Sequence, residues 1–199
     1  MRPVDRNRAW PSRRSAKGPE VEIPLDILGP GVRVVIVGSA KSVASAKAGH
    51  YYAHRSNRFW HLLQATGLTG GEFIPHTEDR SVLNHGVGLT DVVPGRAESD
   101  DSNLAPVDFD LPGFVSKMEF LRPVVIAFNG GTSAGQVSRH LGHGAMPIGP
   151  ADWTLGGAAT WRLPSSSSRH AAGGYDAKEA QWAEFGEWAR IRLEQVSED

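Results

Sequence analysis

Short apolar runs alternate along this chain with segments whose apolar residues recur at helical spacing. Two runs are nearly all apolar and β-branched, RVVIVG at 33–38 and VVIAFN at 124–129. Such runs are typical of strands buried on both faces, as in a parallel sheet. Two weaker strands are predicted at 86–90, GVGLT, and at 159–164, ATWRLP.

Helices are predicted between these strands. Ser56 is placed to cap a helix in which Phe59, Leu62 and Leu63 share one face, and Gly67 is placed to end it. Three more helices are expected, over 111–121, 132–141 and 177–193.

The alternation of strands and helices predicts an α/β sandwich around a mostly parallel sheet, with right-handed crossovers. Ligands of such sheets bind at the carboxyl ends of the strands. Functional residues are therefore expected after each strand, within 38–58, 91–96, 129–133 and 164–170. The first of these segments includes mostly small residues at 40–49, which are expected to form a long loop.

Composition bounds the class of protein. The chain has 199 residues, 40% of them hydrophobic and 22% charged, which is typical of one globular domain. The chain has no cysteine, which excludes disulfides, cysteine nucleophiles and cysteine-bound zinc or iron–sulfur sites. Residues 1–20 carry six basic side chains and few apolar ones, so we expect a disordered arm before a domain at 21–199.

The expected location is cytoplasmic. No apolar run approaches the about 20 residues that a membrane-spanning helix needs. The N-terminal residues lack the apolar centre of a secretory signal.

The net charge of −1 conceals an uneven distribution of charge. The stretches 38–71, 121–150 and 153–175 contain no acidic residue, whereas acidic residues gather at 98–110 and after Tyr175. A positive face is therefore expected, and a positive face is the electrostatic signature of a protein that binds a polyanion.

A serine hydrolase is a weaker interpretation. GTSAG at 131–135 matches the GxSxG nucleophile elbow, between a predicted strand and helix, and Asp152 and His170 follow Ser133 in hydrolase order. However, only one convincing strand follows Ser133, and that fold needs several to return the acid and the base.

Metal and phosphate-loop chemistry are not expected. The segment GSAKSVASAKAGH has neither of the glycine spacings that cradle phosphates. The histidine pairs at 50 and 54 and at 140 and 143 have no HExxH motif beside them.

The remaining pattern favours nucleic acid. Tyr51 and Tyr52 offer faces on which bases stack, and the start of the helix after Asn57 offers backbone N–H groups to an anion. PSSSSRHA at 164–171 combines small hydroxyls with one long cation, Arg169, which suits a loop that pinches a backbone and wedges into the base stack. The side chains suited to phosphate contact are Lys41, Lys47, Arg55 and Arg58.

Four segments in this order resemble the uracil-DNA glycosylase superfamily, in particular its mismatch-specific uracil/thymine branch and its hypoxanthine-type branch. They are VGSAKSVASAKAGHYYAHRSNRFW, GVGLTDVV, AFNG and LPSSSSRHA. The resemblance implies a three-layer α/β/α fold with a four-stranded, mostly parallel sheet over residues 21–199. It also implies hydrolysis of the bond between a damaged base and its sugar.

The resemblance also implies roles for individual residues. Tyr52 matches the aromatic residue that stacks on a flipped base, and Arg169 matches the residue that fills the gap left in the duplex. The implied catalytic residues are Asn57, His54 and Ser39. The implied base-binding residues are Tyr52, Asp91, Asn129 and Ala40. The implied DNA-binding residues are Lys41, Arg55, Arg58, Ser165, Ser166, Ser167, Ser168, Arg169 and His170.

Two positions depart from the family pattern. Ala40 stands where the mismatch-specific enzymes have an asparagine that positions the attacking water, so Asn57 is expected to orient the water instead. Leu163 stands where the fast uracil enzymes have a histidine, so backbone donors are expected to steady the departing base, with His54 or Lys41 beside them.

The expected activity is excision of uracil, or of another deaminated base, from single- or double-stranded DNA. We expect a monomer without lyase activity that uses no metal or organic cofactor. A second alternative, from another class, is a non-catalytic protein that binds uracil or abasic DNA.

Overall fold

A computed structural model describes residues 23, 25–168 and 174–196. The expected arm at 1–20 lies outside the described residues, as do Arg169 and His170. The described residues form one sheet between helices. Its strands are β1 (Val34–Lys41), β2 (Val87–Ala97), β3 (Val125–Asn129), β4 (Gly149–Leu155) and β5 (Ala158–Leu163).

Five α-helices accompany the strands in the described part of the chain: α1 (Val43–Ala48), α2 (Phe59–Ala65), α3 (Leu111–Leu121), α4 (Gly131–His140) and α5 (Gly174–Gln195). 3₁₀ segments lie at His76–His85, Asp101–Asn103 and Pro106–Asp108. Within the described ranges, no helix has the length and apolar character needed to cross a bilayer.

The strand order is β2-β1-β3-β5-β4. The pairs formed by β1 with β2, β1 with β3 and β3 with β5 are parallel, and β4 runs antiparallel to β5. This mostly parallel sheet confirms the predicted fold class, with five strands in place of the expected four. The sequence does not mark β4, because that strand alternates exposed and buried residues and begins with Gly149 and Pro150.

Two local expectations were wrong. The segment 40–49 is not a long loop, because β1 continues to Lys41 and Ser42 then caps α1, its hydroxyl accepting from the Ser45 N–H at 3.1 Å. Ser56 does not cap α2, which begins at Phe59. The N-cap residue is Arg58, which makes no side-chain cap bond, and the preceding Asn57 instead accepts with its Oδ1 from the Phe59 N–H at 3.0 Å.

Each face of the sheet has its own apolar core. On one face α2 and α5 cover Ile36 and Leu89, with Phe59 and Trp182 fully buried between them. We call this the α2–α5 core. On the other face the side chains of α3 and α4 pack on Val35 and Val37, which forms the α3–α4 core. The result is a three-layer α/β/α sandwich.

The contact between α2 and α5 depends on one glycine. A Cβ added to Gly186 of α5 would lie 1.9 Å from the carbonyl oxygen of Thr66, the residue that ends α2. This atom is backbone, so it cannot swing aside as a side chain does. The two helices therefore approach as closely as they do only because residue 186 has no side chain.

We expect Gly186→Ala to lower the free energy of unfolding by about 1–3 kcal/mol, because the added methyl forces the helices apart. Urea unfolding would measure the loss. Gly144→Ala is the matched control, since a Cβ at Gly144 meets no atom within 4 Å. Equal midpoints for the two variants would contradict the argument.

Candidate functional site

Three adjacent strands carry a row of residues on one face of the sheet. The parallel pairing sets Gly38 of β1 beside Asp91 of β2 and brings Asn129 of β3 level with Gly38 on the other side. Side chains two positions apart on a strand share a face. All three residues therefore face the α2–α5 core, because they follow Leu89, Ile36 and Ala127 of that core by two positions.

The middle of this row has no side chain, and neighbouring polar groups fill the space. A Cβ at Gly38 would lie 2.2 Å from Oδ1 of Asp91 and 3.2 Å from the hydroxyl oxygen of Tyr52. A carboxylate oxygen and a phenol oxygen thus both lie close to the position that a side chain at residue 38 would occupy. Any larger residue at position 38 would displace one of them.

Tyr52 is held in an unusual backbone conformation, with φ at 51°. Its ring stacks on Phe59, with the centroids 3.7 Å apart and the planes 12° from parallel. Its hydroxyl is buried close to the Asn129 amide, although it forms no hydrogen bond of good geometry with the described residues. Burial, followed by the negative charges of Asp91 and Asp101, raises the pKa of Tyr52 well above its usual range, and the nearby Asn129 amide only partly offsets this rise. The phenol therefore stays protonated.

Asp91 belongs to a buried network of charges. Its Oδ2 accepts from Nζ of Lys41 at 2.9 Å, and the same Nζ lies 3.8 Å from Oδ1 of Asp26. The other oxygen of Asp26 accepts from Lys117 and from Thr90. Two lysines and two aspartates thus balance one another beneath the row. Lys41 is only 4% exposed, so its ammonium does not face a phosphate as the sequence suggested.

The network favours the ionised form of Asp26. Its burial raises the pKa, but the charges of Lys117 and Lys41 and hydrogen bonds from Lys117 and Thr90 outweigh burial. The pKa of Asp26 therefore lies below its ordinary value of 3.8. The Tyr51 hydroxyl also donates to Asp26, at 3.1 Å, which ties the loop before α2 to the network.

Asn129 joins the row to the serine-rich loop at 164–168. Its Nδ2 donates to the Ser166 hydroxyl at 2.9 Å, and its Oδ1 accepts from the Ser166 N–H at 2.9 Å. Lys178 of α5 donates to the Ser167 carbonyl at 3.1 Å. The loop is therefore held from the end of β3 and from α5.

The serine-rich loop also contacts the segment before α2. The Arg58 N–H donates to the Ser166 carbonyl at 3.2 Å, and the hydroxyls of Ser56 and Ser168 lie 3.0 Å apart. The two sequence segments that favoured nucleic acid thus form one edge of the molecule. The side chains of Arg55 and Arg58 are exposed there, which gives this edge a positive rim.

Residues 25–186 match the sequence profile of the family described as the uracil DNA glycosylase superfamily. The chain belongs to the uracil DNA glycosylase superfamily. The match covers most of the chain and confirms the resemblance seen in the sequence. Membership supports a hydrolase of the DNA glycosylase class.

A solution NMR structure of a candidate uracil DNA glycosylase from Methanosarcina acetivorans shares the fold of this glycosylase, with a TM-score of 0.58. The two sequences are 23% identical, and the match covers 84% of this chain and 96% of the other. At this identity the comparison supports the fold alone.

Several residues expected to act in catalysis or to contact DNA are partly occupied by structural contacts. Asn57 is partly exposed just before α2, and its Oδ1 accepts from the Phe59 N–H. His54 is exposed, and its Nδ1 lies 2.8 Å from the Ser56 hydroxyl. Ser165, expected to contact DNA, is partly exposed, and its hydroxyl accepts from the Ser167 N–H at 3.2 Å.

One neighbour of the site has no signal in the sequence. The hydroxyl of Ser39, near the end of β1 beside Ala40, donates to Oδ2 of Asp101 at 2.8 Å. Asp101 comes from the acidic stretch at 98–110. No local motif marks this residue, since only the fold brings the chain after β2 back to β1.

The hydrolase alternative was wrong. Ser133 is completely buried, and its hydroxyl donates to the Val37 carbonyl at 3.3 Å. A nucleophile must reach its substrate, and this hydroxyl does not reach the surface. Among the described residues no group of three or more His, Asp or Glu is placed to hold a metal.

The lowered pKa of Asp26 predicts how the free energy of unfolding depends on pH. Because the folded state lowers the pKa of Asp26, this carboxylate stabilises the fold above its ordinary pKa and loses that effect as pH falls through the lowered value. Urea unfolding of the wild type and of Asp26→Asn would measure this at about pH 7 and about pH 3. We expect the advantage of the wild type to shrink at the lower pH. An advantage of equal size at both values would contradict the role of the charge.

Proposed function

We propose that this protein is a monofunctional DNA glycosylase that excises uracil, and related deaminated bases, flipped out of DNA. The observation that carries the proposal is the row of Asp91, Gly38 and Asn129 beneath the Tyr52 hydroxyl. It combines a glycine without a side chain, a carboxylate, an amide and a phenol, on a fold whose family acts on DNA.

The row suits the edge of a deaminated base. Ionised Asp91 can only accept a hydrogen bond, and deamination converts an accepting ring nitrogen of cytosine or adenine into a donating N–H. Its Oδ2 is bound to Lys41, whereas its Oδ1 lies over Gly38. This arrangement favours uracil over cytosine.

Stacking supplies further affinity. Phe59 covers one face of the Tyr52 ring, and the ring remains partly exposed. A base stacked on an aromatic side chain gains about 1–3 kcal/mol. Because Phe59 is fully buried, it fixes the plane in which Tyr52 presents its ring.

The positive rim engages the DNA backbone. Arg55 and Arg58 neutralise phosphates, so affinity falls as salt rises. The small side chains of the serine-rich loop allow close approach of a strand. Arg169, which lies outside the described residues, fills the gap that the flipped nucleotide leaves.

The chemistry then follows glycoside hydrolysis. The bond between C1′ and the base loosens toward an oxocarbenium-like sugar, and the base departs with the electron pair as an anion. Backbone N–H groups stabilise that anion. Asn57 orients the water that adds to C1′. No amine attacks the sugar, so an abasic site is the product.

We expect the protein to convert uracil in a labelled oligonucleotide to an abasic site that breaks only after alkali treatment. EDTA leaves the reaction unchanged, because water is the nucleophile and no metal takes part. The assay compares a single-stranded oligonucleotide containing uracil with duplexes in which the uracil lies opposite G or opposite A. The same oligonucleotide with cytosine in place of uracil is the matched control. Trapping of a covalent complex by borohydride would contradict the monofunctional mechanism.

The same assay separates the enzyme from the alternative of a non-catalytic binder. Retained binding of uracil-containing DNA, with no cleavage of uracil, hypoxanthine or mismatched thymine, would establish a lesion-binding protein instead.

We expect Asn57→Ala to lose nearly all excision while DNA binding persists. The variant also loses the hydrogen bond to the Phe59 N–H, which costs about 1 kcal/mol of stability. Asn57→Asp is the matched control, because it keeps an oxygen that accepts from the Phe59 N–H but replaces the amide nitrogen with a charged oxygen. Single-turnover rates and melting temperatures would be measured for both. Wild-type turnover in Asn57→Ala would remove Asn57 from the mechanism.

A further inference from the structure

Tyr175 is an aromatic residue on the edge that carries the positive rim. It is the second residue of α5, and 37% of it is exposed to solvent. The guanidinium carbon of Arg58 lies over its ring, 5.3 Å from the centroid. A single exposed ring is common on protein surfaces, so this one is informative only through its neighbours.

The start of α5 sets Tyr175 beside the serine-rich loop. Lys178 follows it by three positions and so shares its face of the helix, and Nζ of Lys178 donates to the Ser167 carbonyl at 3.1 Å. Arg58 reaches the same loop from α2, its N–H donating to the Ser166 carbonyl at 3.2 Å. The ring therefore lies where the loop and the starts of α2 and α5 meet.

The same helix face leads from Tyr175 to the ring that stacks on the flipped base. Trp182 follows Tyr175 by seven positions, which places it on nearly the same face about 10 Å further along α5. Trp182 packs edge-on against Phe59, with the centroids 5.7 Å apart, and Phe59 carries the stacked ring of Tyr52. Two rings thus accompany the contact between α2 and α5, Tyr52 at the site and Tyr175 at the rim.

An aromatic ring beside a cation on such an edge suits a single strand of DNA. The ring stacks on a base, while the cation neutralises a phosphate. In a duplex, the base next to a flipped nucleotide stays paired and stacked, so its faces are closed to a ring on the protein surface. In a single strand that base is free to turn onto Tyr175.

We propose that Tyr175 stacks on a base next to the excised one, and that the protein therefore acts on single-stranded DNA in preference to duplex DNA. The inference rests on the proposed function and names the substrate class of the same site. Arg58 covers one face of the ring and leaves the other to the base. The Tyr175 hydroxyl is hydrogen-bonded to Glu179, one turn further along α5, so the ring and not the hydroxyl is offered to DNA.

The experiment compares a uracil-containing single strand with the same strand in a duplex, by fluorescence anisotropy for binding and by single-turnover excision. We expect Tyr175→Ala to bind the single strand about 5–150-fold more weakly, the range for loss of one stacked base. Its affinity for the duplex should stay near that of the wild type. The maximal rate of excision should also stay, because Tyr175 does not touch the base that leaves.

Three further variants separate the ring from its surroundings. Tyr175→Phe keeps the ring and should retain binding, although it loses the hydrogen bond to Glu179. Arg58→Ala should weaken binding to single strand and duplex alike, because both carry phosphates. Ile191→Ala is the matched control, since Ile191 is 46% exposed on the same helix, about 24 Å further along it.

A second pair of single strands removes the base instead of the ring. These oligonucleotides carry a tetrahydrofuran abasic residue on the 5′ or on the 3′ side of the uracil. For the wild type, one of them should weaken binding about as much as Tyr175→Ala does. Tyr175→Ala should then lose nothing further on that oligonucleotide, because the two changes remove the same contact.

The outcomes separate this inference from the proposed function. An equal loss on single strand and duplex, or no loss on the single strand, overturns the role of Tyr175. A loss in Tyr175→Phe as large as that in Tyr175→Ala also overturns it, since the effect then belongs to the contact with Glu179. A wild type that binds DNA but excises no base overturns the proposed function, and the binding measurements still decide whether Tyr175 stacks on a base.

Discussion

The buried pairing of Lys41 with Asp91 is the interaction on which the site depends. A charge taken out of water is costly unless a partner of opposite sign and hydrogen bonds compensate for it. Here Lys117 and Asp26 extend the compensation, so that two positive and two negative groups share one interior space. Lys41 supplies that partner to Asp91 of β2, with its Nζ 2.9 Å from Oδ2. The polar row above Gly38 thus requires the network below it.

The buried ion network also holds the loop before α2 in place. The hydroxyl of Tyr51 donates to Asp26, and its ring lies under the Lys41 ammonium, 4.3 Å from Nζ to the ring centroid. Tyr52 follows at once with its left-handed backbone, and its ring rests on Phe59. The position of the stacking ring is therefore set from two sides, by the ion network through Tyr51 and by the α2–α5 core through Phe59.

Apolar patterning predicted most of the fold. The strands β1 and β3 were evident because both of their faces are buried, and the bounds of α3 matched the predicted 111–121. The edge strand β4 was missed because its exposed positions remove the apolar run. For the site, the sequence predicted that the segments around Tyr52 and Ser166 follow strands. It did not predict that Lys41 is buried or that Asp101 returns to Ser39, since both depend on contacts between residues 50 or more positions apart.

The paired hydrogen bonds between Asn129 and Ser166 have a consequence for the serine-rich loop. Both ends of the Asn129 amide bond to the same residue of that loop. Any displacement of Ser166 therefore breaks two hydrogen bonds at once and leaves the polar atoms of a buried amide without these partners, which is costly. The conformation of the loop and the polar end of β3 are thus coupled, so that neither can change without the other.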